Sequence, residues 1–166
     1  MVSIVTRMPA GFPGQVSRSD SLTIETGIID SSTPPTAFGS FVKVVSGKIQ
    51  PLASGDAGSV VHGFLVQPYP IQASAVTASV SGAVTPPASG VCSVMRRGWA
   101  AATLVSGTAF KKGQVYVVTT VGGTSLVGDI VTSTSPASGG TAVAVTGAYF
   151  TGPADSGGVV EIEYNL

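Results

Sequence analysis

Apolar residues in this chain recur at every second position in short runs, and Gly, Pro, Ser and Asp clusters separate the runs. Leu22, Ile24, Thr26 and Ile28 alternate with Thr23, Glu25 and Gly27, the period of a half-buried strand. The stretch Asp30–Thr36, with two consecutive prolines, reads as a loop, and a strand is expected over Phe38–Val45. Ser46-Gly47 then turns the chain into a short return through Ile49, and Ala53–Gly58 forms another turn cluster. Val60–Val66 is a further strand, in which Gly63 marks a bulge or a close backbone approach. Val91–Leu104 reads as a long strand bent at Gly98. Val115–Val121 follows the Lys111-Lys112-Gly113 turn, and Gly122-Gly123 connects it to Leu126–Val131. Thr141–Phe150 and Val159–Tyr164 complete the series.

The pattern predicts an all-β chain: about eight strands in a sandwich or small barrel (jelly-roll-like), preceded by an extended N-terminal arm. The arm is residues 1–20, because Pro9, Gly11, Pro13 and Gly14 within six positions permit neither a helix nor a long ladder. The β-domain is residues 21–166, with a low-complexity loop excursion near 71–90 that is rich in Ala, Ser and Thr. With strands beginning near Leu22, residues 1–18 are expected to be dispensable for folding and to gain order only on another chain.

Composition sharpens this picture. Gly, Pro and Ser fill about a third of the 166 residues, which alone suggests low complexity. Hydrophobic residues nevertheless make up 43%, too many for a chain that stays disordered. Valine outnumbers leucine 25 to 6, and β-branched side chains suit a pleated surface better than a helix. Charged residues are only 10%, against about 25% in ordinary soluble domains, and eight cations balance eight anions. A chain with so few charges suits a subunit covered by neighbours. Zero net charge without a basic patch argues against nucleic-acid binding, which requires cations to displace phosphate counterions. No apolar run approaches the ~20 residues of a membrane span, and the N-terminus lacks the pattern of a secretory signal. Synthesis in the cytosol without membrane association is the expectation.

The chemical inventory is thin. His62 is the single histidine, inside an apolar strand, and no nucleophile elbow or carboxylate pair accompanies it. One Cys and one His cannot build an ordinary zinc site. Glu161 and Glu163, two apart on a strand, share a face, which reads first as a solvent-exposed edge face and otherwise as a site for a cation opposite, a partner's Arg or a surface calcium. Gly107–Gly113 lacks the lysine placement of a phosphate loop. No catalytic, metal or cofactor-binding residue is assigned. Assembly remains, and the interface candidates are Phe12, Val16 and Arg18 on the arm with Arg96, Arg97 and Trp99, of which the arginines and the tryptophan are types enriched at interface hot spots. On a strand Arg96 and Arg97 point to opposite sides, so only one of them shares the face of Trp99.

Six segments together resemble the structural cement or decoration proteins of tailed bacteriophages. They are Gly-Phe-Pro-Gly-Gln-Val-Ser-Arg (11–18), Phe-Gly-Ser-Phe-Val (38–42), Val-His-Gly-Phe-Leu-Val-Gln-Pro-Tyr-Pro (61–70), Met-Arg-Arg-Gly-Trp (95–99), Lys-Gly-Gln-Val-Tyr-Val (112–117) and Val-Glu-Ile-Glu-Tyr-Asn-Leu (160–166). The resemblance spans nearly the whole chain and departs most at 71–90. It implies a non-enzymatic virion protein on the capsid exterior that bridges major capsid protein subunits. A homo-oligomer, dimer or trimer, is expected because a closed unit matches a symmetric lattice. The alternatives are a tail, baseplate or host-attachment component, or a carbohydrate-binding β-sandwich module.

Overall fold

The computed structural model describes residues 11–68 and 85–165. Within them run nine strands: β1 (Val16–Ile29), β2 (Phe41–Val45), β3 (Lys48–Pro51), β4 (Gly63–Val66), β5 (Gly90–Ser106), β6 (Gln114–Thr120), β7 (Ile130–Val131), β8 (Thr141–Phe150) and β9 (Val159–Asn165). The all-β expectation holds, and the ninth strand is the short return after Ser46-Gly47. Leu126–Val131 contributes only Ile130–Val131. Leu126 donates its N–H to the Asp129 carboxylate (2.7 Å) and Asp129 returns its N–H to Leu126 O, which makes those residues a turn. Val60–Val66 likewise shortens to β4, because Gly58–Val60 forms a 3-10 turn.

All nine strands belong to one sheet, and that sheet meets β5 twice. One ring of pairings runs β1-β3-β2-β4-β5 and returns to β1; a second runs β5-β7-β6-β8-β9 and returns to β5. The 17-residue β5 serves both. Its first half is antiparallel to β1 and β4, its Arg97–Thr103 stretch is antiparallel to β9, and Leu104 and Ser106 pair in parallel with β7.

Strand alternation gives each ring its interior. Ile29, Val42, Ile49, Leu65, Cys92 and Val94, from all five strands of the first ring, form one buried cluster with Phe38. Ala100, Ala102, Val115, Val117, Ile130, Val145, Phe150, Val160, Ile162 and Tyr164 fill the second. Phe41, Phe64, Val66 and Met95, on the opposite face of the first ring, join this larger core. Phe41 meets Phe64 and Tyr164 edge to face, with ring centroids 5.1 and 5.6 Å apart. β4 is therefore buried on both faces, which explains its uninterrupted apolar run. The expected close approach at Gly63 is present: a Cβ there would lie 2.9 Å from the carbonyl oxygen of Met95.

β5 changes register between the rings. β1 advances one residue, Thr23 to Ile24, while β5 moves two, Arg97 to Met95. This bulge lets Met95 and Ala100, of opposite parity, both face the larger core. The expected bend follows at Gly98, where φ is +139° and Leu22 packs directly against the α-carbon.

The N-terminal segment departs from the expected arm. β1 starts at Val16, and Val16 and Arg18 pair with Ala100 and Trp99 of the same chain. Gly14 donates to Ala101 O, Ala101 donates to Gln15 O and Gln67 donates to Gly14 O, each at 2.8 Å. Gly14, buried with φ +82°, turns the chain so that it crosses backbone to backbone against Gly39, φ +78°. A Cβ on Gly14 would lie 2.6 Å from that of Phe38, and one on Gly39 would lie 2.7 Å from Gly14 N. Residues 13–18 are thus built into the fold, against the expectation that folding does not need them. Residues 1–10 and the 69–84 portion of the expected loop excursion lie outside the described residues.

Two glycine substitutions separate backbone strain from crowding. Gly47→Ala, φ +77° with open space around it, is expected to lose about 1 kcal/mol of stability. Gly14→Ala adds a collision with Phe38 and should lose more than about 2 kcal/mol. Equal denaturant midpoints for the two variants would show that the Gly14–Gly39 crossing carries no stability.

Candidate interaction face

On β9, Val160, Ile162 and Tyr164 point inward, so Glu161 and Glu163 must point out on one face. Two carboxylates that close require cations, and the chain supplies both. Arg18 grips Glu161 through two hydrogen bonds, Nε to Oε1 at 3.1 Å and Nη2 to Oε2 at 2.6 Å. Ser17 and Thr151 each donate a hydroxyl to the same carboxylate at 2.6 Å. Lys112 reaches Glu163 at 3.2 Å. The face is therefore neither a bare solvent-exposed edge nor dependent on a partner's Arg or a calcium ion for its cations, which are intramolecular.

The aromatic residues lie between these charges. Glu163 is the cross-strand neighbour of both Trp99 on β5 and Tyr149 on β8. The Arg18 guanidinium stands 5.5 Å above the Trp99 ring, and the Lys112 ammonium 5.7 Å from the Tyr149 ring. Partial burial pushes the Glu161 carboxyl up, but the bonds from Arg18, Ser17 and Thr151 more than offset this and hold it below the ordinary carboxylate range. The same hydrogen bond to Glu161 raises Arg18 above its usual value.

The six interface candidates separate accordingly. Arg18, Arg97 and Trp99 come together: Arg97 is exposed and lines a shallow hollow with Gly98, Trp99, Glu163, Tyr164 and Asn165. Val16 is half-buried against the larger core, so it serves the fold. Phe12 is 51% exposed. Arg96 points away from Trp99, as strand alternation requires, and donates to Glu25 at 3.3 Å and to the His62 ring. His62 is also hydrogen-bonded to Glu25, so the lone histidine sits in an ion cluster where β1, the approach to β4 and β5 meet. Burial works against the Glu25 carboxylate, and the bonds from His62 and Arg96 outweigh it, leaving its pKa low. Tyr164, inside the larger core, is pushed up to about 12 by burial.

Sequence reasoning did not find Ser17, Thr151 or Lys112 as partners of the glutamates. Arg18 and Glu161 are 143 residues apart, and only the closing of the second ring beside β1 joins them. Burial also raises the Cys92 thiol, which keeps it protonated as a small core residue. Among the described residues no three His, Cys, Asp or Glu side chains are grouped to hold a metal ion.

The clamp has a definite pH signature. Glu161 has a lower pKa folded than unfolded, so its contribution is present above about pH 4.5, the unfolded value, and is lost as pH falls through the depressed folded value. Glu161→Gln should cost about 1–2 kcal/mol at pH 7, discounted because Arg18 is half-exposed. It should also flatten the loss of stability between neutral pH and pH 3. Parallel stability–pH curves for the variant and the parent would refute the clamp.

Comparison with known proteins agrees with this architecture. In solved structures, the chain matches a protein of "The capsid of Myoviridae Phage XM1" with a TM-score of 0.68 over 98% of this chain and 95% of that one. Identity is 18%, so the likeness concerns the fold. No curated protein matches in sequence. The family model described as "Structural cement protein (E217 gp24/Pam3 gp6)" matches residues 3–165, which takes in β1 to β9 and every residue of the Trp99 face. The chain belongs to the phage structural cement protein family.

Proposed function

We propose that this virion structural protein acts as a cement subunit on the exterior of the expanded phage head, and that it bridges major capsid protein subunits through the Trp99 face. Family membership gives the capsid cement role and the association with capsid protein. The observation that favours this face is Arg97. Most cations of the described chain are matched internally: Arg18 with Glu161, Lys43 with Asp56, Lys48 with Asp30, Arg96 with Glu25 and Lys112 with Glu163. Arg97 is exposed, has no ion pair among the described residues, and stands beside Trp99 and Asn165 in a hollow. An arginine next to a half-buried tryptophan offers an acidic or carbonyl-rich segment both a fork of donors and an apolar wall.

The mechanism is thermodynamic and non-enzymatic. A protein that binds the assembled shell and not its dissociated subunits shifts the equilibrium toward the shell by mass action. Contact with more than one capsid subunit raises the effective concentration of each further contact, so modest individual contacts suffice. His62, bound into the Glu25–Arg96 cluster, has a structural part in this scheme.

Co-sedimentation with undecorated heads tests the face. Arg97→Glu is expected to weaken head binding at least roughly tenfold, while the exposed site leaves the melting temperature nearly unchanged. Saturation of the heads at the parent's affinity would move the contact elsewhere on the surface.

A further inference from the structure

β1 is the strand on which two unexplained features coincide. Along one edge it pairs with β5 without interruption from Ile24 to Ile29, beyond the bulge at Thr23. Along the other, among the described residues, it meets only β3, and only at Ile29. Asp30 donates its N–H to Ile49 O across that second edge. Backbone groups alternate sides along a strand, so Thr26, Ile24 and Leu22 also direct their N–H and C=O groups to it. Ser21, with φ +52°, ends the regular run. Leu22–Ile28 thus presents a strand edge whose outward donors and acceptors have no backbone partner among the described residues, the arrangement that templates pairing with another chain.

The side chains above this edge are apolar. Ile24 is 43% and Ile28 58% exposed, and the cross-strand neighbour of Ile28, Val91, is 67% exposed. Thr26 and Ser93 lie between them, and the face carries no charge from residue 22 to 28 because Glu25 turns to His62 and Arg96. Edge strands in monomers are usually guarded by a lysine, a proline or an outward charge. This edge has none.

We propose that a second copy of this chain occupies the edge, with the two β1 strands antiparallel about a two-fold axis at Ile24. The pattern is self-complementary there. Ile24 faces Ile24 of the second copy, Leu22 faces Thr26, and Thr23 faces Glu25, so no like charges are directly opposed. The residues whose N–H groups point outward, 22, 24 and 26, are paired with one another, as an antiparallel ladder requires. The two sheets become continuous across the dimer, an isologous contact that closes on itself. The Trp99 face is built from β5, β8 and β9 and the start of β1, so it stays open on both copies. This dimer stands independently of the capsid role.

Sedimentation velocity of the purified full-length chain is the test, with two variants that act differently. Ile24→Lys guards the face with a charge, and Thr26→Pro removes an outward N–H that β5 does not use. The parent is expected to sediment as a dimer, and each variant should raise the dimer dissociation constant at least roughly tenfold while circular dichroism and melting of the monomer stay unchanged. A parent that remains monomeric throughout the accessible concentration range would overturn the proposal. So would a dimer insensitive to Ile24→Lys, or β1 edge amides whose protection in a monomer disappears on deleting residues 1–10 or 69–84. A dimer that never binds heads would leave this contact standing and sink the cement reading. Monomeric variants that bind heads more weakly would support both.

Discussion

One strand has to satisfy two closed rings of hydrogen bonds, and the rest of the structure follows from that demand. β5 is long enough, at 17 residues, to give its first half to β1 and β4 and its second to β9 and β7. The two rings place their interiors on opposite faces of the strand, so a straight β5 would expose one of them. The bulge at Arg96–Arg97 resolves the conflict by shifting parity, which brings Met95, Ala100 and Ala102 into the same core. The pair of arginines sits at the shift for a physical reason: at a parity change, consecutive residues find an outward position on different sides. Arg96 takes one side with Glu25 and His62, and Arg97 takes the other beside Trp99.

The same geometry accounts for the short glycine-containing segments. Gly14, Gly39, Gly63 and Gly98 all lie where two backbones, or a backbone and a core side chain, come closer than a Cβ allows. Gly14 and Gly39 cross each other, Gly63 lies against Val94 and Met95, and Gly98 against Leu22 and Met95. These positions surround the junction of the rings. Crowding on this scale needs little volume per residue, which fits a core of Val, Ala and a few aromatics better than one of Leu.

Much of the fold was legible in the sequence because period-two alternation is a local signal. β1 from Leu22, β5, β8 and β9 were recovered almost to the residue. The signal failed where distant contacts decide the outcome. Residues 13–18 contain no alternation and two prolines or glycines that break ladders, yet Gly14 and Gln15 hydrogen-bond with Ala101 and Gln67, more than 50 residues away. Leu126–Val131 reads as the return strand after Gly122-Gly123, but the Asp129 carboxylate captures the Leu126 N–H and makes a turn of its first half. At the site, residue chemistry picked out Arg18, Arg97 and Trp99 but could not tell which of them has an intramolecular partner. Glu161 and Glu163 called for cations; that these are Arg18 and Lys112 depends on the closing of the second ring.

Internal charge matching also explains how a neutral chain with few charges can be specific. A surface with free charges of both signs offers many weak encounters, screened within about a Debye length. Here the carboxylates of Glu25, Asp30, Asp56, Glu161 and Glu163 are already committed to cations of the same chain. The more exposed pairs, Lys48–Asp30 and Lys112–Glu163, contribute little net stability, but pairing fixes side-chain positions. Arg18 held over Trp99 by Glu161 is the example: its long side chain is already ordered, so a partner laid against that face does not have to immobilise it. Preorganisation of this kind lowers the entropy lost on docking without adding charge. Self-repulsion, the usual source of solubility, is absent at zero net charge, and an exposed strand edge without a guarding charge adds to the hazard. A chain built this way is stable against indiscriminate association only when its open surfaces find their proper partners, so the low charge that looks like a liability in an isolated monomer is consistent with a subunit that spends its working life covered.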